Sequence, residues 1–297
     1  MGITTANVDG IDVSKITGIP RVDPWGATRY VNSAHANASD SGKTGLNLLE
    51  PLATLVRAIA QSNAGDTIVI GPGHTETISA AGAITVALAN VTIIGIGRGN
   101  QKPTFTFSTS TAGSILLSGA GLRLENLHFV TNIASLVLML SITGADCEIV
   151  NCTMSETGSG TCLDAITASA TSDRLKVLGL KAVLGGAAGQ SIVQFQGDDT
   201  VIADCDLYGG AQAGAIENVT TAVTGALITR NHIETLHADD LCIAVVATST
   251  GWITHNNMRL ATDTIKTWIT AAVMNLSENY GVNADGETGL LEGTASA

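Results

Sequence analysis

Leu124-Glu-Asn-Leu-His-Phe129, Ile149-Val-Asn-Cys-Thr-Met154 and Ile202-Ala-Asp-Cys-Asp-Leu207 are copies of one phrase. It reads apolar, two variable residues, then Asn, Cys or an apolar residue, one variable residue, apolar. Ile228-Thr-Arg-Asn-His-Ile233 and Ile253-Thr-His-Asn-Asn-Met258 repeat it, and weaker copies start at Ile68, Ile93, Val177 and Val273. From Ile68 onward the starts lie 25, 31, 25, 28, 25, 26, 25 and 20 residues apart. A strand-like phrase returning about every 25 residues means one coil of a solenoid per copy.

Working outward from the phrase, each coil holds two or three strand-like runs separated by Gly, Asn or Ser-Thr turns, such as Thr104–Ser108, Leu136–Ile142 and Ile192–Phe195. The first phrase position and its two later apolar positions are expected to point inward and form vertical stacks. Asn231 and Asn256 share one column, so they are placed to bond between coils. The expected fold is all-β: a right-handed parallel β-helix of about nine coils. With coils about 4.8 Å apart, its body is roughly 40 Å long.

The flanks differ from the repeat. Residues 1–29 read as an extended arm, since Pro20 and Pro24 oppose a helix. The arm has two readings, along its own solenoid or onto a neighbouring subunit or larger assembly. Residues 30–64 read as a loop followed by a capping helix over 48–61, with Leu48, Leu52, Leu55, Val56 and Ile59 at helical spacing and Pro51 in its first turn. The β-helix is assigned to 65–280. Residues 281–297 read as a tail that either folds over the last coil or leaves that end to a partner.

Composition narrows the function. The 297 residues carry 26 acidic and 14 basic side chains, a net charge of −12 without a basic stripe, which argues against nucleic acid. Mean hydropathy is +0.31, yet no apolar run is long enough to span a membrane. The excess reads as a packed solenoid interior plus buried subunit contacts. Five cysteines without a Cys-x-x-Cys spacing argue against zinc. Cys152 and Cys205 occupy one column two coils apart, roughly 10 Å, too far for a disulfide. No signal peptide is read at the N-terminus.

Tyr30-Val-Asn-Ser, Pro51-Leu-Ala-Thr-Leu-Val-Arg-Ala-Ile-Ala and Gly65-Asp-Thr-Ile-Val-Ile-Gly-Pro-Gly73 resemble the entry of pectin-lyase-like right-handed parallel β-helix proteins. Gly71-Pro-Gly-His-Thr-Glu-Thr-Ile78, Val91-Thr-Ile-Ile-Gly-Ile-Gly-Arg-Gly99, Pro103-Thr-Phe-Thr-Phe107 and Leu124-Glu-Asn-Leu-His-Phe129 resemble uncharacterised β-helix proteins of tailed bacteriophages. That resemblance implies a virion component, on the capsid surface or a tail appendage, assembled in the host cytoplasm as a homo-oligomer, a trimer by analogy, beside the major capsid protein or other virion proteins.

A β-helix lyase or glycosidase needs a base beside carboxylates, or two carboxylates at set distances. The best cluster for this is Asp198, Asp199, Asp204 and Asp206 in one coil, with Arg230 and His232 at the positions of Asp204 and Asp206 in the next and His255 one coil further. Stacking is expected to set Asp204 near Arg230 and Asp206 near His232. Set against a catalytic use is cross-coil charge pairing on a wall that otherwise repels itself. His74 and Glu76 read as a solvated pair in a turn. The ten aromatics are few and scattered, a poor platform for a polysaccharide. No catalytic, cofactor or metal residues are assigned. The resulting expectation is a non-enzymatic structural protein of a phage virion, decorating or cementing the capsid through its 1–29 arm. The alternatives are a tailspike-like polysaccharide depolymerase and a non-catalytic glycan-binding adhesin.

Overall fold

In the computed structural model the described residues are 7–8, 11–12, 26–185, 189–210, 213–236, 241–260, 269–271, 273–282 and 288–291. Three sheets of ten, ten and eight strands run the length of the body, parallel except for the last strand of the second. The first coil comprises Thr67–Ile70, Thr75–Ile78 and Ile84–Val86, one strand per sheet, and the eighth comprises Gly251–Thr254, Asn257–Leu260 and Ile269–Thr270. The eight strands of the third sheet thus count eight complete coils. Asn275–Ser277 and Asn279–Val282 start a ninth. The chain is a right-handed parallel β-helix, the hand that parallel crossovers adopt almost without exception.

Register confirms the phrase residue by residue. Ile68, Ile93, Leu124, Ile149, Val177, Ile202, Ile228 and Ile253 pair in a single line, each at most 2% exposed. The last copy is corrected. Ile253 pairs with Leu276, so the ninth phrase is Leu276-Ser-Glu-Asn-Tyr-Gly281 and starts at Leu276 rather than Val273. Its irregular apolar content hid a copy in which position six is Gly. Equivalent stacks fill the other two walls. Phe105 lies under Phe129 with ring centroids 5.7 Å apart, and Ile115, Leu140, Ile166, Val193, Ile216 and Ile243 align on the third sheet. A fully buried side chain of this size contributes about 1.5–3 kcal/mol, and these columns repeat that contribution at every coil.

The fourth phrase position has a chemical reason. Asn231 Nδ2 donates to the Ile202 carbonyl (3.0 Å), Asn256 Nδ2 to Ile228 (3.0 Å) and Asn279 Nδ2 to Ile253 (2.8 Å). The thiols of Cys152 and Cys205 reach the matching carbonyls of Leu124 and Val177 at 3.8 and 3.6 Å. Asn and Cys alternate here because both donate to the first-position carbonyl of the preceding coil. The asparagines also bond to one another, Asn231 Nδ2 to Asn256 Oδ1 (3.0 Å) and Asn256 Nδ2 to Asn279 Oδ1 (2.9 Å). All five cysteines are buried, and Cys152 and Cys205 form no disulfide, as the spacing argument required.

The entry end departs from its expected form. The first sheet begins with Thr28–Val31, which pairs with Thr67–Ile70 ahead of the loop. The helix is Leu55–Gln61 rather than 48–61. Leu48 and Leu49 are exposed, Val56 is exposed, and Leu52 is buried in a parallel bridge to Val31. Asp40 explains the shorter helix. Its Oδ1 accepts Ala53 N (2.8 Å) and Thr54 N (3.2 Å), and its Oδ2 accepts the Thr54 hydroxyl (2.7 Å). The hydroxyl of Thr54 in turn accepts Arg57 N (3.2 Å) and starts the helix at the next residue. Leu52, Leu55 and Ala58 belong to the core and close this end. At the other end Thr288–Leu291 runs antiparallel along Asn279–Val282, so part of the tail covers the edge of the second sheet. In the 1–29 arm, Asn7–Val8 pairs antiparallel with Ile11–Asp12. Its other residues before Gly26 lie outside the described ones.

Candidate functional site

The first-sheet strands of coils three to seven are bracketed by corners in the left-handed region, and those of coils two, eight and nine have one such corner. Asn90, Asp146, Arg174 and Asp199 precede their strands, with φ between 54° and 59°. Asn126, Asn151, Asp204, Arg230, His255 and Glu278 follow theirs, with φ between 51° and 58°. Gly121, Gly179 and Gly225 fill the same columns. Gly, Asn and Asp tolerate this conformation, whereas Arg, His and Glu adopt it at a cost. The corner throws the side chain outward, where the residue one coil away meets it.

The sequence-predicted cluster sits on this framework. Arg230 binds Asp204 with two parallel bonds, Nε to Oδ1 and Nη2 to Oδ2, both 2.7 Å. Arg174 binds Asp146 in the same way at 2.6 and 2.8 Å. In both pairs the arginine hydrogen bond holds the carboxyl below its ordinary pKa. Asp204 therefore meets Arg230 as anticipated. Asp206 is in register with His232, but its carboxylate takes the ammonium of Lys181 at 2.9 Å instead. Lys181 is in register with Asp206 on the preceding coil, as His232 is on the following one, and the longer lysine takes the carboxylate. His255 pairs with Glu278 and shares a bond with the Thr254 hydroxyl. Asp198 accepts Thr224 N at 2.7 Å, and Asp199 is an exposed corner. Asp204, Asp206 and His255 are paired with Arg230, Lys181 and Glu278, and these pairs stand in two separate columns of the surface rather than around one point.

His74 and Glu76 form no solvated turn. His74 is fully buried beside Phe105. Its Nδ1 accepts Ser33 N at 2.9 Å, so Nε2 carries the proton and donates to Glu76 Oε2 at 3.3 Å. That oxygen also accepts Leu55 N, the first residue of the helix, at 2.8 Å. The pair fastens the entry loop and the helix to the first coil. The reading failed because a Gly-Pro-Gly turn suggested exposure, and the loop that buries it lies 41 residues upstream.

Two groupings escaped the sequence. On the second sheet His128 Nε2 bonds Ser155 Oγ at 2.8 Å, and Lys102 Nζ donates to the Asn151 carbonyl at 2.8 Å. Burial lowers the pKa of both bases, with the lysine charge adding to the effect on His128. A neutral imidazole beside a hydroxyl is the beginning of a nucleophile–base pair. Among the described residues no carboxylate orients the other ring nitrogen. On the third sheet Asp164 Oδ1 accepts Ser191 N (3.2 Å) and its hydroxyl (2.8 Å), while Glu217 is 8% exposed and bonds Gln194. Burial raises both carboxyls, and the charge of Asp164 raises Glu217 further. The only advance signal was an acidic residue inside an apolar run.

Among the described residues no three His, Cys, Asp or Glu side chains are grouped to hold a metal ion, and no helix is long and apolar enough to cross a membrane. No family model matches the chain, and no curated protein matches its sequence. Among solved structures a rhamnogalacturonan lyase is similar in outline. The TM-score is 0.48 and the identity 14%, over 86% of this chain and 87% of that one. The likeness is one of coil architecture, and nothing about activity is taken from it.

Proposed function

We propose that this chain is a non-enzymatic structural protein of a tailed-phage virion, a β-helical knob that decorates or cements the capsid and is attached through residues 1–29. It works as a homo-oligomer, with three copies as the reading taken from the phage resemblance, against the major capsid protein or another shell protein, and without nucleic acid or membrane. One observation carries the non-catalytic part. The charged side chains best placed to form a site are committed to each other, Asp204 to Arg230 and Asp206 to Lys181, on an exposed wall. The virion part rests on the resemblance of the 71–129 segments to phage β-helix proteins.

The test is to locate the protein on purified particles by electron cryomicroscopy and to assay the isolated protein on host surface polysaccharide. Density on the shell that is lost when residues 1–29 are deleted supports the reading. Attachment that survives the deletion refutes the role of the arm. A depolymerase is the second reading, favoured by the raised Asp164 and Glu217 carboxyls, since a glycosidase needs a carboxyl that keeps its proton. Polysaccharide cleavage abolished by Glu217→Gln, Asp164→Asn or Asp206→Ala would replace the structural reading with it.

A further inference from the structure

Residues 96–103 join the first- and second-sheet strands of coil two, a link that Asn126 and Leu127 make alone in coil three. Asn126 Nδ2 clamps the longer link by donating to the carbonyls of Gly95 (2.7 Å) and Gly97 (3.1 Å). From the end of this link Lys102 reaches towards coil four, where its ammonium donates to the Asn151 carbonyl at 2.8 Å. Lys102 is 9% exposed. Arg123, Arg174, Lys176, Lys181, Arg230 and Arg259 each hold a carboxylate. Among the described residues none pairs with Lys102. A cation taken out of water without an opposite charge is unfavourable, and in a chain of net charge −12 the exception stands out.

The neighbours of this ammonium are donors. Two outward register lines cross coils two to four on the second sheet. One holds Thr104, His128 and Thr153, the other Thr106, Val130 and Ser155, without a carboxylate in either. His128 Nε2 and the Ser155 hydroxyl share a bond of 2.8 Å. Burial, and then the charge of Lys102, lowers the pKa of His128, so ring and ammonium act on each other through space. Thr153 is half-buried in line with His128, and its hydroxyl has no partner among the described residues.

We infer that Lys102, His128, Thr153 and Ser155 bind a tetrahedral oxyanion, the phosphate group of a monoester or diester. The anion supplies the negative charge that Lys102 lacks. An ammonium has three donor positions, and the Asn151 carbonyl takes one of them. The imidazole and the two hydroxyls are further donors, and the four groups come from three successive coils. Donors on three levels match an anion with oxygens in several directions better than a planar carboxylate with two. A single buried cation is not the clustered Lys and Arg that nucleic acid requires. The ligand is therefore one phosphate group rather than a strand. The inference adds a ligand to the proposed function and rests on none of it, since the isolated protein binds phosphate or fails to whether or not it sits on a shell.

The experiment titrates the full chain with sodium phosphate at pH 7 and constant ionic strength, read by calorimetry and by the proton resonances of the imidazoles. The resonance missing in His128→Gln assigns His128. Saturable uptake of phosphate that moves the His128 titration to higher pH supports the inference, because an anion beside the ring favours its protonated form. Lys102→Met keeps the buried stem, removes the charge and should weaken binding by about tenfold or more. Ser155→Ala, at a half-buried position, should weaken it by about threefold and serves if Lys102→Met does not fold. No saturable uptake up to tens of millimolar overturns the inference. So does a His128 titration that phosphate leaves unmoved, or binding that Lys102→Met leaves unchanged in a folded protein. Sodium acetate bound as tightly as phosphate overturns the tetrahedral ligand. Dimethyl phosphate separates the sources. Its binding beside phosphate assigns the site to phosphodiesters of a polymer or lipid, and binding of inorganic phosphate alone assigns it to terminal phosphates; either result supports the inference.

Discussion

Replacing Asn256 with leucine isolates the contribution of the asparagine column. Asn256 is 1% exposed and spends its whole amide inside the stack. Its Oδ1 accepts Asn231 N and Asn231 Nδ2, both at 3.0 Å, and its Nδ2 serves Ile228 O and Asn279 Oδ1. After Asn256→Leu, Asn231 Nδ2 keeps Ile202 O and Asn279 Oδ1 keeps Asn256 N at 3.1 Å. The Asn231 backbone N–H is left without its acceptor, and the Ile228 carbonyl loses a donor. A buried backbone group without a partner costs about 1–3 kcal/mol, and the leucine itself fits a column that holds Leu127 and Leu180 elsewhere. The expected loss is about 3 kcal/mol. Asn256→Cys should lose about half of that, because the thiol at this position in Cys205 still reaches the preceding carbonyl. Urea midpoints at constant slope measure both. The double variant Asn231→Leu/Asn256→Leu should fall short of the sum of its singles by about 1–2 kcal/mol. Loss below about 1 kcal/mol for Asn256→Leu, or strict additivity in the cycle, would refute the ladder as a source of stability.

Other substitutions probe the remaining clusters. Glu217→Gln should raise stability at pH 7. Burial lifts the folded carboxyl above its unfolded value, so the folded state holds the proton more tightly. The penalty therefore starts as pH rises past the unfolded value and is complete above the folded one, and the gain should vanish at pH 3; a gain of equal size at pH 3 would contradict this. His74→Leu strands Ser33 N–H and should cost about 2 kcal/mol, read as a lower melting temperature. Burial pushes the thiols of Cys152 and Cys205 up to about 11 and about 12. Iodoacetamide at pH 8 should label neither in the folded protein and both in urea, with labelled peptides identified by mass spectrometry.

Register and core were legible because one physical rule, an inward apolar residue at fixed steps, repeats along the chain. Eight of nine phrase starts fall on a single line of pairing. The miss at Val273 came where that rule weakens, since Gly281 replaces the last apolar position. The helix was overdrawn because Leu48 and Leu52 keep helical spacing, whereas Asp40, far upstream, holds the backbone N–H groups that decide where the helix starts. Corner charges were partly legible: column position predicted Asp204 beside Arg230, but side-chain reach gave Asp206 to Lys181. Glu217 and Asp164 stand two coils apart on the third sheet, outside the phrase, and nothing in their own sequence sets their register. His128 is a phrase residue, and its partner Ser155 lies just past the end of the next copy, where the phrase no longer points.

The placement of the ladder follows from the asymmetry of the ends. The entry end is closed by Leu52, Leu55 and Ala58 and fastened by His74 and Glu76. At the exit end, among the described residues, Thr288–Leu291 covers the second sheet and Asn275–Ser277 is the last strand of the first. Solenoid coils are held by their neighbours, so a terminal coil with one neighbour frays first. Asn231, Asn256 and Asn279 occupy coils seven, eight and nine, where each buried amide adds bonds that Leu127 and Leu180 do not supply in the covered middle. Asn279→Leu should therefore act locally. Asn279 Oδ1 accepts both Asn256 N and Asn256 Nδ2, and its Nδ2 serves Ile253 O. Its loss should speed amide exchange in 251–260 and 273–282 by about tenfold for each 1.4 kcal/mol removed, while exchange in 67–178 keeps its wild-type rate. Equal acceleration in both segments would mean that the solenoid opens as one unit and that the ladder has no special relation to the open end.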